Sequence, residues 1–422
     1  MKKTLTTTAA LLFFLAGISS PAAETVALSW SDCLREAAKL NPQLAASSRQ
    51  IEQRRAEKRM AAGKMLPQIS AQAGAGKAGS LSGGETRDNN TYSASGDQLL
   101  FDGFKTYNEF KSANEGLTAS RHSYTKASSE IRYNLRRAFV DLMRAQSLVP
   151  ITEGIIERRK QNLEMIKLKY ESGREHLGAL QLAEADLAQA RYDLRKARRD
   201  NSSAQYALRK ELGWEKDTPV TVKGKFELQD KERQRPDLRT VAERHPSVMA
   251  LASEKRAAGY GLGSAKAEFF PRFDLSAEAG KVGFGGFQSD DGWTVNVKAS
   301  LPIFEGGQNV ANYKRAGARL SEAASLERSE YDTVLSGLES AWQELDDAVE
   351  LCSVQEKFLK ADETRAKVAR AQYANGLLIF DNWIIIEDNY VRSQKSYVAA
   401  QAAMLIAEAA WIKARGEALD DE

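Results

Sequence analysis

Within residues 104–170 an apolar side chain returns at every seventh position in two interleaved series. One runs Phe110, Leu117, Tyr124, Ile131, Ala138, Ala145; the other runs Leu135, Leu142, Val149, Ile156, Leu163, Tyr170. Ile131 and Leu135 stand four residues apart, the a-to-d spacing of a coiled-coil seam. A period of seven held this long forces the stripe to supercoil if it is to stay against a partner. At about 1.5 Å per residue the helix is roughly 100 Å long, beyond the interior of any compact domain of this size. Pro150 is the expected kink, because it lacks a backbone donor and crowds the preceding turn.

The pattern returns further along. Tyr331, Leu338, Leu345, Cys352, Leu359, Ala366 and Tyr373 are again seven apart. A shift of 203 lays Leu338 on Leu135, Leu345 on Leu142, Leu359 on Ile156 and Tyr373 on Tyr170. The chain therefore reads as a duplication, with repeats over 28–214 and 237–416 joined by a linker over 215–236.

Residues 1–23 have the form of a secretory signal. Lys2 and Lys3 precede a short apolar stretch over 9–18, and small residues lead to cleavage after Ala22 or Ala23. That stretch is too short to span a bilayer, and no later run reaches the roughly 18 apolar residues a spanning helix needs. Without Lys2 and Lys3 the 60 basic side chains become 58, against 57 acidic ones. Such a balance argues against a nucleic-acid partner, and basic runs such as 195–199 read as solvated helix faces. Cys33 lies near the start and Cys352 some 70 Å along the second long helix. A disulfide needs Cα atoms within about 7 Å, so both are expected as free thiols.

Outside the long helices the period changes. A short helix capped by Ser31 is expected to run to Asn41-Pro42, and a second to about Lys64. From Pro67, the apolar Ile69, Ala71, Ala73 and Ala75 alternate with Gln68, Ser70 and Gln72, and a second alternating run covers 92–101. The later copy opens at Pro271 with Phe273, Leu275, Ala277 and Ala279, then gives Trp293, Val295, Val297 and Ala299. A sheet with one apolar face produces this alternation, whether it faces lipid or a core. Each long helix ends at a glycine, Gly173 or Gly376, the residue suited to a left-handed C′ position. Returning helices are expected over about 177–212 and 381–415, with a short strand at Val220-Thr-Val-Lys.

No motif carries enzymatic chemistry. The stretch 74–79 matches G-x-G-x-x-G, yet a loop follows it and not the helix N-terminus that a pyrophosphate needs. His122, His176 and His245 lie on unrelated elements, so neither a metal site nor a Ser-His-Asp triad assembles. Asp346-Asp347 and Glu387-Asp388 read as helix-surface charge. The expectation is no catalytic residue, no metal and no cofactor. Four strands are too few for a membrane barrel, and an open sheet leaves its edge amides unsatisfied in lipid. If these strands span a bilayer, several chains share one barrel.

The ordered set of features resembles the TolC-type outer-membrane factor family, the outer membrane efflux proteins, over about 28–416. The resemblance rests on Asn41-Pro42 with His245-Pro246 and on Pro67 with Pro271. It rests also on Leu100-Phe-Asp-Gly103 with Ile303-Phe-Glu-Gly306, and on Tyr170-x-x-Gly173 with Tyr373-x-x-Gly376. It implies a mainly α fold in which duplicated coiled-coil hairpins form a trimeric α-barrel. Four strands per chain would join a shared twelve-stranded transmembrane β-barrel. The implied function is an exit duct of a tripartite efflux pump or type I secretion system, set in outer-membrane lipid and crossing the periplasm. The implied partners are two further copies, a periplasmic adaptor, and an inner-membrane pump or ABC exporter. The competing reading is a soluble periplasmic coiled-coil adaptor or scaffold, against which four uncovered apolar strand faces argue.

The resemblance also places the periplasmic tip at the two glycine turns. Gly173, Leu177, Gly376, Leu377 and Leu378 are then the expected adaptor contact. Family members commonly carry an acidic residue six positions after each tip glycine. Ala179 and Asn382 stand there in this chain, which leaves Glu175, Asp381, Glu184 and Glu387 as candidate gate charges. The apolar run 377–380 has two uses, as a docking surface or as a plug that folds inward. The hairpin loops 79–90 and 283–292, rich in Gly, Ser, Asn and Asp, are expected outside the cell.

Overall fold

The computed structural model describes residues 26–78, 87–215, 217–228, 235–283 and 289–419. A short strand, β1 (Val26–Leu28), leads into α1 (Trp30–Leu40). Ser29, and not Ser31, caps α1. Its hydroxyl accepts from the Asp32 amide while the Asp32 carboxylate accepts from the Ser29 amide, a closed capping box. Asn41 ends α1 and caps α2 (Pro42–Gly63), whose first position suits proline because that amide has no helical partner. The hairpin β2 (Gln68–Ala78) and β3 (Arg87–Phe101) follows, then α3 (Lys105–Glu171), α4 (Leu177–Leu212) and β4 (Val220–Val222). The order then recurs: α5 (Leu238–Arg244), α6 (Pro246–Ala267), β5 (Arg272–Gly283), β6 (Ser289–Ser300), α7 (Gln308–Ala374) and α8 (Phe380–Ala414).

α3 and α7 hold 67 residues each, or about 100 Å. Two shorter helices stacked end to end line each of them. The junction is tight in both copies. The Asn41 side chain donates to the Glu211 carbonyl at 2.9 Å where α4 meets α2. A Cβ on Gly213 would stand 2.3 Å from the Leu40 oxygen, and one on Gly416 would stand 2.4 Å from Pro246 Cδ.

Pro150 sits inside α3 without ending it. What changes there is the seam. The first heptad series is buried at Ile131, Ala138 and Ala145 and continues as Thr152, Arg159 and Ile166. The second is buried at Leu135 and Leu142 but then yields to Ile155 and Asn162, leaving Val149, Ile156 and Leu163 half-buried and Tyr170 exposed. A polar seam beyond Pro150 is invisible to an apolar periodicity, which is why Tyr170 stands in the sequence pattern and not in the packing, while Leu163 packs only on the margin of the tip cluster.

The main core lies midway along the helices, where α1, α3, the end of α4 and α8 converge around Leu135, Phe139, Leu142, Leu208 and Leu405. β1 pairs in parallel with β4, Val26 on Val220 and Leu28 on Val222, and closes the side of this core. Cys33 is buried in it and Cys352 packs on its margin, both as free thiols. Separation along the helix is therefore not what keeps the two sulfurs apart.

The four long strands form one antiparallel sheet in the order β2-β3-β5-β6. β3 begins at Arg87 and β6 at Ser289, so part of each expected loop is strand. Pairs such as Asn89 with Gly76 need backbone groups only, and polar side chains give no warning of them. The remainder of the two loops, 79–86 and 284–288, lies outside the described residues.

Candidate functional site

The sheet sorts its side chains by face. Register places Ala71, Ala94, Ala279 and Trp293 in one row, and Ile69, Gly96, Ala277 and Val295 in the next. The opposite face carries Gln68, Asp97, Ser276 and Asn296, then Ser70, Ser95, Glu278 and Thr294. Among the described residues nothing covers the apolar face: Ile69 is 83% exposed and Trp293 76%. Lipid on one side and water on the other demand this arrangement. The strands, 11, 15, 12 and 12 residues long, meet the roughly 9–11 residues needed to span a bilayer. Among the described residues no helix is long and apolar enough to cross a membrane.

Every layer is open at the same two sides. Across the sheet the outer strands are β2 and β6. Next to the sheet the helices run in the order α2-α3-α6-α7, and at the far end α4-α3-α8-α7. One side of the chain thus ends in β2, α2 and α4, the other in β6 and α7.

The far end is built from two turns. Gly173 (φ +71°) and Gly376 (φ +76°) adopt the left-handed conformation, and a Cβ on either would meet no atom within 4 Å. The amides of Arg174 and Leu377 return to the carbonyls of Lys169 and Gln372, satisfying the last turns of α3 and α7. His176 caps α4 by accepting from the Ala179 amide at 3.1 Å. Glu175 accepts from the Tyr373 hydroxyl at 2.8 Å.

The run 377–380 divides. Leu377 and Ile379 are 77% and 64% exposed, Leu378 is half-buried and Phe380 is buried. Phe380 packs edge-on to Trp383, which stacks on Tyr373 with ring centres 4.2 Å apart. The run is therefore neither wholly a surface nor wholly a plug. Leu177 is exposed, as are Glu184, Asp381 and Asn382, whereas Ala179 is buried in the cluster around Trp383.

Glu387 departs from the reading of a surface carboxylate. It is buried, about two turns into α8 from the tip, in a polar layer between the hairpins. Arg159 pairs with Asp186 at 3.4 Å and with Asp388 across the two hairpins, and Arg158 donates to Gln394 at 2.8 Å. Burial raises the pKa of both Glu387 and Asp186 against the pull of the neighbouring guanidiniums. Asn162 is buried there too, with neither amide atom hydrogen-bonded among the described residues. Sequence reasoning missed Arg159, Asn162 and Asp186. The signal for Arg159 lay in its seven-residue spacing from Thr152 and Ile166, masked by its charge.

A two-faced open sheet carried on about 100 Å of paired helices defines the channel-tunnel class, a helical barrel joined to a β part. Within that class the chain belongs to the outer membrane efflux protein family, whose model matches residues 33–214 and again 238–417. It is 23% identical to outer membrane efflux protein BepC of Brucella suis biovar 1 over 256 residues, 60% of this chain and 55% of BepC. It is 32% identical to outer membrane protein OprJ of Pseudomonas aeruginosa over 151 residues, 32% of this chain and 29% of OprJ. These alignments span about half of BepC and under a third of OprJ. The fold matches the crystal structure of VceC from Vibrio cholerae with a TM-score of 0.81 and 18% identity, covering 93% of this chain and 97% of that one. The chain is an outer-membrane protein that extends into the periplasm. The soluble scaffold reading falls with that result.

Proposed function

We infer that three copies of this chain close into one conduit, the exit duct of a tripartite efflux pump, with cargo passing from periplasm to exterior without chemistry. The carrying observation is the pair of open sides, β2, α2 and α4 against β6 and α7. Unlike sides join head to tail, and such contacts close a ring. Three copies supply twelve strands, above the roughly eight that a membrane barrel needs, whereas one copy would leave edge amides unsatisfied in lipid.

In this reading the turns at Gly173 and Gly376 point into the periplasm. Leu177, Leu377 and Leu378 meet a periplasmic adaptor, with Ile379 beside them, and an inner-membrane pump or ABC exporter lies beyond. The Tyr373–Glu175 contact and the layer around Glu387 hold the two hairpins together where a gate would part them. Asp381 and Glu184, exposed nearby, are the remaining charges of that mouth. A type I secretion duct needs the same geometry. Cell fractionation tests the reading: the mature protein should sediment with outer membranes and require detergent for release. Recovery wholly in the soluble fraction would overturn it.

A further inference from the structure

The helices α4 and α7, which border the two open sides, each carry a second heptad stripe that the chain itself leaves uncovered. On α7 the buried positions include Leu345, Ala366 and Tyr373. One residue before each step of that seam lies an exposed stripe, Glu344, Asp347, Leu351, Val354 and Phe358, continuing at Ala361, Arg365 and Val368. On α4 the buried positions include Ala183 and Ala190. One residue earlier an exposed stripe begins, Leu182, Ala185, Gln189 and Tyr192, continuing at Lys196, Arg199, Ser203 and Tyr206. Both stripes advance by alternating steps of three and four, the spacing of a coiled-coil seam, and on them Leu182, Tyr192, Leu351, Val354, Phe358 and Val368 stand exposed.

Set antiparallel and level at the tip, the stripes are in register. Leu182 is five residues into α4 and Val368 six from the end of α7, so the two stand at one height. Stepping away from the tip, Tyr192 then meets Phe358, Arg199 meets Leu351 and Ser203 meets Asp347. Charge follows the same axis. Residues 191–210 of α4 hold seven basic and two acidic side chains, and 339–356 of α7, at matching height, hold six acidic and no basic ones. Among the described residues Arg191, Arg195 and Arg199 form no ion pair, and neither do Glu344, Asp346, Asp347 and Glu350.

We propose that α4 of one copy packs antiparallel on α7 of the next through these two stripes. The contact is apolar near the tip and ionic towards the middle. It rests on the reading of the chain as a closed ring and specifies which residues meet in it. The Arg199 stem lies over Leu351 while its guanidinium reaches the level of Asp347 and Glu350. Like-charge repulsion disfavours α4 on α4 and α7 on α7, so only head-to-tail assembly proceeds. The basic run 195–199 is then an interface with a second copy of the chain.

Site-directed crosslinking tests the register. In a chain carrying Cys33→Ala and Cys352→Ala, the pair Tyr192→Cys with Phe358→Cys should yield covalent oligomers on mild oxidation. Tyr192→Cys with Val368→Cys, about 15 Å out of register, should not. Light scattering in detergent accompanies each pair. Trimers that fail to crosslink at the matched pair, or that link better at the mismatched one, overturn the seam and leave the ring reading standing. Monomers in the parent background overturn both. With native cysteines, Arg199→Glu should lower the trimer fraction several-fold at low salt, and added Asp347→Arg should restore it. Absence of that rescue overturns the ionic half.

Discussion

The Tyr373 hydroxyl donates to the Glu175 carboxylate at 2.8 Å and so ties the last turn of α7 to the loop after α3. The same ring stacks on Trp383 of α8, and Lys169 of α3 sits 3.9 Å from its centre. One side chain therefore gathers both hairpins at the tip. Burial, with Glu175 adding to it, raises the pKa of the hydroxyl, so it remains a donor at any physiological pH. Tyr373→Phe keeps the stack and removes one hydrogen bond to a charged group, worth about 1.5–3 kcal/mol. Trimer yield should be unchanged while uptake of a large antibiotic through the outer membrane rises. Wild-type uptake in the variant would show that this contact does not hold the tip closed.

The divided apolar run separates docking from closure. Leu377→Asp puts a charge on an exposed side chain, so it should weaken crosslinking to the adaptor and leave permeability as it was. Phe380→Asp buries that charge beside Trp383 and should raise leakage instead. The two readouts measured together on both variants decide the assignment, and an exchange of the two effects would reverse it.

His245 caps α6 by accepting from the Ser247 amide, and its pKa is lowered below the ordinary 6.5, chiefly by burial with Lys126 adding to it and Glu330 opposing. A lowered histidine pKa means that the unfolded chain binds the proton more tightly. The contribution is present above pH 6.5 and is lost as pH falls through the folded value. His245→Asn copies Asn41 at the matching position of the first repeat, keeps an acceptor and removes the titration. Its thermal stability should fall less than that of the parent between pH 7 and pH 5. An equal fall in both would contradict the assignment.

Four of the glycines at positive φ, those at the tip and at the helix junctions, split into two kinds. Gly213 and Gly416 face backbone or ring atoms within 2.4 Å of an added Cβ, where Gly173 and Gly376 face open space. Alanine at the tip pair should cost only the left-handed penalty, about 1–2 kcal/mol. Alanine at the junction pair must also separate stacked helices, so Gly213→Ala and Gly416→Ala should melt clearly lower. Equal melting temperatures for the four variants would remove the junction from the account.

Legibility followed apolarity. The seven-residue spacing from Ile131 to Ala145 and from Leu338 to Leu345 shows the long helices, and Leu177 to Leu212 could be bounded from its glycines alone. The alternation from Trp293 to Ala299 shows a two-faced strand. Polar packing was not legible. Thr152, Arg159 and Asn162 occupy a seam that hydrophobic spacing cannot detect, and Glu387 looks like surface charge until α3 is laid against α8. The β1–β4 pair joins three-residue strands nearly two hundred residues apart, too short for any pattern to register. The tip was legible in its glycines and only half legible in the run after Gly376, where position along the turn, and not hydrophobicity, decides that Leu377 faces out and Phe380 in.

The central claim is that three copies make one continuous conduit. Light scattering of the mature protein in detergent, followed by its reconstitution into planar bilayers, tests this most directly. The account predicts a protein mass three times that of the chain and discrete ion conductance from the same peak, rising when Tyr373→Phe loosens the tip. A monomer, or a trimer that stays silent even with that substitution, would contradict it.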